Sequence, residues 1–351
     1  MVTEGHQVRV VCLKSDRTVE QEIIDGIEVI RISLKAASWP RFLNPLKFVE
    51  FIFQTQKYLK DADLVHVNDF EPLPVAWWGK VTGKKFKTLY DAHEFASEKN
   101  GLQNLSRNFI RTTERFFGKR VDEIITVSEG IAREYEKRHK REKVEVILNV
   151  PMASGSGQPS NKLREALNIA PDKMIFLYQG KFLIDRGIPF LIEAFEDIDE
   201  RAALVFMGNG TLQTQVENAA RDMDNVFFQP AVPYVELLSF TSSADFGLLT
   251  TENVCLNHWY CMPNKLFEYI QSGIPIISTN LHDCKEVIER NHVGLVLESD
   301  DAIGVRKTIK KAVATNPEEF KTGLTEAAAK YNWQVEQARL LRIYKRILAD
   351  G

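Results

Sequence analysis

The stretch LNHWYCMPNKLFEYIQSGIPII, residues 256–277, decides how this chain is read. It opens as a polar, aromatic loop, passes Pro263 into a helical pattern, and ends with Gly273, Pro275 and an apolar strand. Asn257, His258, Asn264, Lys265 and Glu268 crowd one loop–helix junction. A purely structural segment has no need of so many polar groups beside an apolar run. The order helix, Gly, Pro, strand is one step of an α/β alternation, and the junction is a candidate ligand site.

The alternation extends in both directions. QVRVVCL, GIEVIRIS, DLVHVN, KTLYDA, EIITVS and VEVILN read as strands, separated by helical patterns such as PLKFVEFIFQTQKYLKD and SRNFIRTTERFFGKR. NVPMASGSGQPSN has no periodicity and reads as a linker. Beyond it MIFLYQG, AALVFMG, VFFQPA, FGLLT, IPIIST and VGLVLE are strands. IPFLIEAFEDI, GTLQTQVENAARD, VELLSFTSSA, NKLFEYIQSG and HDCKEVIERN are helices between them. WQVEQARLLRIYKRILA closes the chain as an amphipathic helix. The expected fold is α/β, with two doubly wound, Rossmann-like domains. Their expected bounds are 1–150 and 151–332, followed by a C-terminal helix over 333–351. The opening MVTEGHQVRVVCL reads as the end of a first helix running into a second strand, so a first βα unit is expected to be missing.

Composition narrows the function. A chain of 351 residues suits two domains, and 44% hydrophobic with 26% charged residues describes a globular protein. A net charge of −3 gives no bulk field for nucleic acid. Cys12, Cys255, Cys261 and Cys284 form no CxxC pair, which fits a reducing compartment and offers no zinc site. The sequence contains neither a signal-peptide pattern nor an apolar run of about 18 residues, so the expected location is cytoplasmic.

Ligands of open α/β sheets bind beyond the carboxyl ends of the strands, so the residues after each strand carry the chemical signal. MIFLYQG is followed by Lys181, Arg186 and Gly187, a cationic turn suited to a diphosphate. Gly208 and Gly210 flank Asn209 after AALVFMG and let backbone approach a ligand. After FGLLT, the helix starting at Asn264 offers unpaired backbone N–H groups, Lys265 adds a charge, and Glu268 lies on the same side as Asn264. A carboxylate there can accept from the vicinal hydroxyls of a ribose. In the first half DLVHVND supplies His66 and Asp69, and LYDAHEF supplies Asp91, His93 and Glu94. His66 lies inside an apolar run and reads first as a core histidine. His93 is flanked by carboxylates that orient it or tune it. Neither histidine has a third ligand at metal spacing, so no metal is expected.

These motifs in this order resemble the GT-B fold glycosyltransferases of family 4, also called group 1, which are retaining nucleotide-sugar enzymes. GHQVRVV, DLVHVND, DAHEF, IITVSEG and VILNVP are similar to first-domain landmarks. YQGKFLIDRG resembles the donor-phosphate motif, MGNGTL the GxGxL turn, and MPNKLFEYIQSGIPIIST the P-(S/N)-K-x-x-E-Y segment. The resemblance implies that Lys181 and Arg186 hold a donor diphosphate, beside Gly187 and Gly208. It places Asn264 and Lys265 at the phosphate end of their helix, Glu268 on the ribose, His93 on the transferred sugar and Asp69 toward the acceptor. Many members carry a Glu eight residues before the second one; here that residue is Tyr260, with Asn257 or His258 as candidate substitutes. The implied activity moves a sugar from a UDP- or GDP-sugar to a glycan or lipid-linked acceptor without a cofactor. Two alternatives stay open: a sugar-nucleotide epimerase on the same plan, and a truncated remnant that only binds. Trp39, Arg41 and Phe42, together with Lys137, Arg138, Lys140, Arg141 and Lys143, suggest peripheral contact with the inner face of a membrane.

Overall fold

The computed structural model describes residues 2–15, 18–34, 45–152, 160–198 and 200–349. Its first half carries β1 (Arg9–Leu13), β2 (Gln21–Ile24), β3 (Ile27–Ile32), β4 (Leu64–Asn68), β5 (Lys87–Ala92), β6 (Glu123–Thr126) and β7 (Glu145–Val146). The helices among them are α1 (Pro45–Thr55), α2 (Leu73–Val81), α3 (Asn104–Gly118) and α4 (Glu129–His139). The second half carries β8 (Met174–Phe182), β9 (Ala202–Gly210), β10 (Val226–Pro230), β11 (Phe246–Leu249), β12 (Ile276–Ser278) and β13 (Gly294–Val296). Its helices are α5 (Lys162–Leu167), α6 (Ile188–Phe195), α7 (Gln213–Asp222), α8 (Tyr234–Thr241), α9 (Leu256–Trp259), α10 (Asn264–Gln271), α11 (His282–Asn291), α12 (Ala302–Val313), α13 (Lys321–Lys330) and α14 (Trp333–Ala349).

The second half forms one six-stranded parallel sheet in the order β10-β9-β8-β11-β12-β13. The side-chain period of two sorts its residues to opposite faces. Ile175 and Leu177 of β8, with Val205 and Met207 of β9, belong to one apolar cluster. Phe176, Tyr178, Leu204 and Phe206 belong to the other. Both faces are covered by helices, which is why these strands read as continuous apolar runs. The strand order jumps from β8 to β11 at the middle of the sheet, and ligands of such sheets bind beside that switch.

The first half departs from the single sheet expected. Its strands form a three-stranded sheet, β1-β3-β2, and a separate four-stranded parallel sheet, β4-β5-β6-β7. The strand β2 was not anticipated. It runs antiparallel to β3, and Asp25 (φ +50°) with Gly26 (φ +79°) makes the two-residue turn between them. VEVILN forms a strand only over Glu145–Val146. Of the expected linker, residues 153–159 lie outside the described residues. The α14 helix packs on the four-stranded sheet, where Ile343, Tyr344 and Ile347 meet Leu89, Ile125 and Ile147. Arg346 adds contacts of 3.0 Å to Glu123 and 3.1 Å to Glu145. The closing helix thus belongs spatially to the first half, although the chain reaches it from the second.

Candidate functional site

The site is built where β8, β9 and β11 end. The pairing of β8 with β9 continues to the last residues, matching Gly180 to Gly208 and Lys181 to Asn209. Gly208 has φ +151°, and a Cβ there would lie 1.9 Å from the Gly180 carbonyl oxygen, so only glycine fits. Lys181 Nζ donates to Asn209 Oδ1 at 2.6 Å and is exposed at the sheet end. The following turn carries Arg186, whose guanidinium donates to Thr251 Oγ1 at 3.3 Å. Gly187 adopts φ +70°, and a Cβ would sit 2.4 Å from the Thr250 carbonyl oxygen. Its N–H donates to Glu252 Oε1 at 3.2 Å.

Glu268 lies one turn into α10 and accepts from Gln179 Nε2 at 2.6 Å. Gln179 Oε1 accepts in turn from Thr241 Oγ1 at 2.7 Å. Burial raises the Glu268 carboxyl, opposed by the Gln179 hydrogen bond and the Lys265 charge. Asn264 is exposed at the start of the helix. Lys265 differs from expectation. Its amino group is buried without a hydrogen-bond partner among the described residues, 3.9 Å from the centre of the Tyr178 ring. Burial, reinforced by Arg186, lowers it to about 7. Arg186 and Glu268 are the charged side chains that act most strongly on it.

The opposite wall comes from β4 and β5. Asp69 follows β4 at φ +65°, a left-handed position for a non-glycine residue, and its N–H donates to the Asp91 carbonyl at 2.9 Å. Burial raises the Asp69 carboxyl, while His93 and Lys99 pull it down. His93 Nε2 lies 3.4 Å from Asp91 Oδ2, and His66 Nε2 lies 3.1 Å from the same oxygen. The two walls meet where the Phe95 N–H donates to Asn257 Oδ1 at 2.8 Å, two residues beyond His93. A second bridge joins the Gly130 N–H to Asp283 Oδ2 at 2.8 Å, with the Tyr260 ring pressed against Gly130.

The structure therefore gathers Lys181, Arg186, Gly187, Gly208 and Glu268 at one sheet end, and Asp69 with His93 at the other. Tyr260 contacts the first half, and Asn257 forms a bridge between the halves. His258 is buried, 3.4 Å from Asp185 and 2.9 Å from the Glu252 carbonyl. Gln179, Asp185, Thr251 and Glu252 were not anticipated. Glu252 directly follows the TT after β11, so the strand-end rule could have found it. Among the described residues His282, Asp283 and Glu286 bring possible metal-ligand atoms within 4.8 Å of one another. His282 and Asp283 already share a 2.6 Å contact.

The basic cluster read from EKRHKREK is largely engaged. Arg138 pairs with Glu114 at 2.6 Å, Arg141 donates to the Asp122 carbonyl at 3.0 Å and also bonds the Gly118 and Val121 carbonyls, and Lys143 pairs with Glu145 at 3.0 Å. Trp39, Arg41 and Phe42 lie outside the described residues. Among the described residues, no helix is long and apolar enough to cross a membrane.

Comparison with known proteins assigns the family. The model of Glycosyltransferase Family 4 matches residues 1–150, and that of Glycosyl transferases group 1 matches residues 159–331. An uncharacterized glycosyltransferase of Methanocaldococcus jannaschii is 26% identical over 284 residues, covering 75% of this chain and 66% of its own length. A putative teichuronic acid biosynthesis glycosyltransferase of Bacillus subtilis is 20% identical over 304 residues, covering 85% of this chain and 74% of its own. Sucrose-phosphate synthase from Thermosynechococcus elongatus superposes with a TM-score of 0.80 at 19% identity, covering 100% of this chain and 91% of its own. Anabaena HepE, solved in complex with UDP, superposes with a TM-score of 0.76 at 11% identity, covering 97% and 100%. These likenesses show the GT-B fold of two Rossmann-like domains, and with the two matched models the chain belongs to the group 1 glycosyltransferases of family 4.

Proposed function

We propose that this protein transfers a glycosyl group from a nucleoside-diphosphate sugar to a glycan or lipid-linked acceptor, with retention of configuration, in glycoconjugate synthesis. The observation that carries the reading is the convergence of Lys181, Arg186 and the start of α10 on one sheet end, with the Glu268 carboxylate one turn away. Lys181 and Arg186 hold the diphosphate, and their charge stabilises the departing nucleoside diphosphate as the bond from the anomeric carbon to phosphate oxygen breaks. The Asn264 side chain and the first N–H groups of α10 assist. Glu268, fixed by Gln179, accepts from the ribose hydroxyls. Gly187 and Gly208 keep the backbone open to the donor. On the facing wall His93 contacts the transferred sugar. Asp69 faces the acceptor hydroxyl, which attacks the anomeric carbon as its proton passes to the departing diphosphate oxygen. Lys265 acts from beneath, through its charge beside Glu268 and Arg186. HepE was solved with UDP and with UDP-glucose, which makes UDP the first donor base to test.

Calorimetric titration with UDP, GDP and ADP tests the site. One nucleotide should bind at micromolar affinity, and Arg186→Ala should weaken it at least about 100-fold. Absence of binding by all three would overturn the reading.

The acceptor side favours a membrane surface. Leu105, Phe109 and Phe116 are exposed along α3 at helical spacing, 84%, 69% and 42% accessible. Arg111, Arg115, Lys119 and Arg120 are exposed beside them. An apolar stripe flanked by cations suits an anionic bilayer, and a lipid-linked acceptor would be presented there. Flotation with phosphatidylglycerol vesicles should retain the protein, and Phe109→Ser with Arg115→Glu should release it. Equal behaviour of both proteins, or equal binding to phosphatidylcholine, would remove the membrane from the account.

A further inference from the structure

A polar chain in the first half reaches the facing wall from an unexpected source. Tyr344, on α14, places its hydroxyl 2.6 Å from His66 Nδ1. His66, on β4, turns Nε2 toward Asp91 Oδ2 at 3.1 Å. The same Asp91 oxygen lies 3.4 Å from His93 Nε2. Three separate elements thus supply a line of side chains that ends on His93. The line is partly buried, with His66 and Asp91 side chains 24% and 14% accessible. Polar groups in such a place cost stability unless each is matched, whereas apolar residues would dock α14 equally well. The two hydrogen bonds of His66 are both satisfied in one arrangement of protons. Burial keeps the Tyr344 hydroxyl protonated. It donates to His66 Nδ1, so a neutral His66 carries its proton on Nε2 and donates it to Asp91. The Asp91 carboxylate oxygen 3.4 Å away is an ion-pair contact that draws a proton to His93 Nε2, which leaves His93 Nδ1 as the second polar atom of that ring.

We infer that His66 and Tyr344 are positioning residues for His93: they fix the Asp91 carboxylate and, through it, the tautomer and orientation that His93 presents to the sugar. The inference rests on the reading of His93 as a sugar contact, and it assigns α14 a part in the cleft. A second partner that orients a functional histidine is worth about 10-fold or more where such partners act on metal ligands, and an active-site misplacement costs a comparable factor.

The test separates this inference from the proposed activity. Ring-nitrogen NMR of the full chain labelled with [15N]histidine, with His93 assigned through His93→Gln, reads the tautomers directly. Wild-type His66 and His93 should both show Nε2–H. Tyr344→Phe keeps the ring and deletes one hydroxyl, so His66 should move to a mixture of tautomers and the His93 signals should shift. His66→Leu should displace or double the His93 signals. His66→Gln, whose amide offers a donor and an acceptor at matching reach, should restore them. With UDP-glucose as the turnover probe, His66→Leu should lower kcat about 10-fold with the donor KM unchanged, and His66→Gln should recover most of it. If His93 signals in Tyr344→Phe and in His66→Leu coincide with wild type, the chain only docks α14 and the inference fails. It fails equally if wild-type His93 shows Nδ1–H. Should His66→Leu not fold, Tyr344→Phe decides alone. Wild-type protein without turnover on UDP-glucose would count against the donor reading, and the NMR arm would still decide the positioning.

Discussion

The two halves of the molecule are held together by different means. In the second half β8 and β9 are each nine residues long and pair along their full length. Aromatic rings fill one face of that sheet, with Phe176 stacked on Phe246 at 5.5 Å and Phe206 at 5.8 Å from Tyr178. In the first half the strands are short, split between two sheets, and β1 and β2 are largely accessible. A buried charged network crosses its apolar interior. Glu114 is fully buried and takes Arg138 at 2.6 Å, Tyr90 at 2.8 Å and the Tyr135 hydroxyl. A close-packed sheet suits the proposed diphosphate platform, whose charges must be in place before the bond breaks. A half tied by hydrogen bonds is specific in geometry but vulnerable at single polar atoms.

The largest expected effects test that contrast directly. Gly208→Ala should cost about 4 kcal/mol or prevent folding. The added Cβ would meet the Gly180 oxygen at 1.9 Å, and β8 is fixed by neighbours on both sides. Glu114→Ala should cost a comparable 3–5 kcal/mol, roughly, for another reason: it strands Arg138 and two tyrosine hydroxyls without their acceptor. Urea unfolding followed by circular dichroism gives both values. The contrast predicts that Glu114→Gln recovers part of the second loss. No substitution larger than glycine recovers the first. A Gly208→Ala protein within about 1 kcal/mol of wild type would break the comparison.

Lys265 is a buried amine of the second half without a hydrogen-bond partner among the described residues, and its prediction has the opposite sign. Burial holds its amino group near 7, below its ordinary 10.5. The unfolded chain therefore binds a proton more readily than the folded one between those values. The associated stability is fully present only above about 10.5 and is lost as pH falls toward 7. At neutral pH the group costs on the order of 4 kcal/mol. Lys265→Met should raise stability by a few kcal/mol at pH 7 and have little effect near pH 10.5. The same variant should weaken nucleotide binding, because it removes charge beside Glu268 and Arg186. Unfolding curves at the two pH values check the first part, and calorimetry the second. A variant less stable than wild type at pH 7 would show that the Tyr178 contact outweighs the burial cost.

What could be read from the sequence follows the same division. The second half was legible strand by strand, because strands covered on both faces appear as apolar runs and its helices keep their period. The strand-end rule reaches Lys181 and Arg186, at and just past the end of β8, whereas Glu268 sits one turn into α10, well beyond β11, and what these residues bind was read from the resemblance. In the first half β2 was passed over although IIDGIE carries an Asp-Gly turn between apolar residues, the strongest short-range hairpin signal. The contacts that complete the facing wall had no local signal. Phe95 and Asn257 are 162 residues apart, and His66 and Tyr344 are 278 apart. A pairing of that kind is decided by how whole elements dock. The burial of Lys265 was illegible for a related reason: one turn of α10 sends Asn264 outward and the neighbouring amine inward, onto a ring of β8.

The smallest of these effects is the most selective for the first half. His139 ends α4, stacks on Tyr135 at 5.4 Å, and is only 4% accessible. Gly118 leaves room for it, since a Cβ there would stand 2.6 Å from His139 Cε1. Neither ring nitrogen has a hydrogen-bond partner among the described residues. Burial lowers the ring to about 4 from its ordinary 6.5, and Arg138, Arg141, Lys119 and Arg115 all push in the same direction. The folded protein thus resists the proton that the unfolded chain accepts. Its contribution is complete above about 6.5 and disappears as pH falls to about 4, a loss of about 3 kcal/mol. His139→Phe keeps the stacking ring and cannot titrate. Wild type should lose urea resistance between pH 6.5 and 4 more steeply than the variant, with the two curves parallel above pH 7. The second half has no such buried imidazole among its described residues without a partner, because His258 is matched by Asp185 and the Glu252 carbonyl. Acid should therefore open the first half first, and hydrogen exchange at pH 5 should show α4 and β5 losing protection ahead of β8 and β9. Simultaneous loss across both halves, or equal pH slopes for wild type and His139→Phe, would assign the acid sensitivity elsewhere.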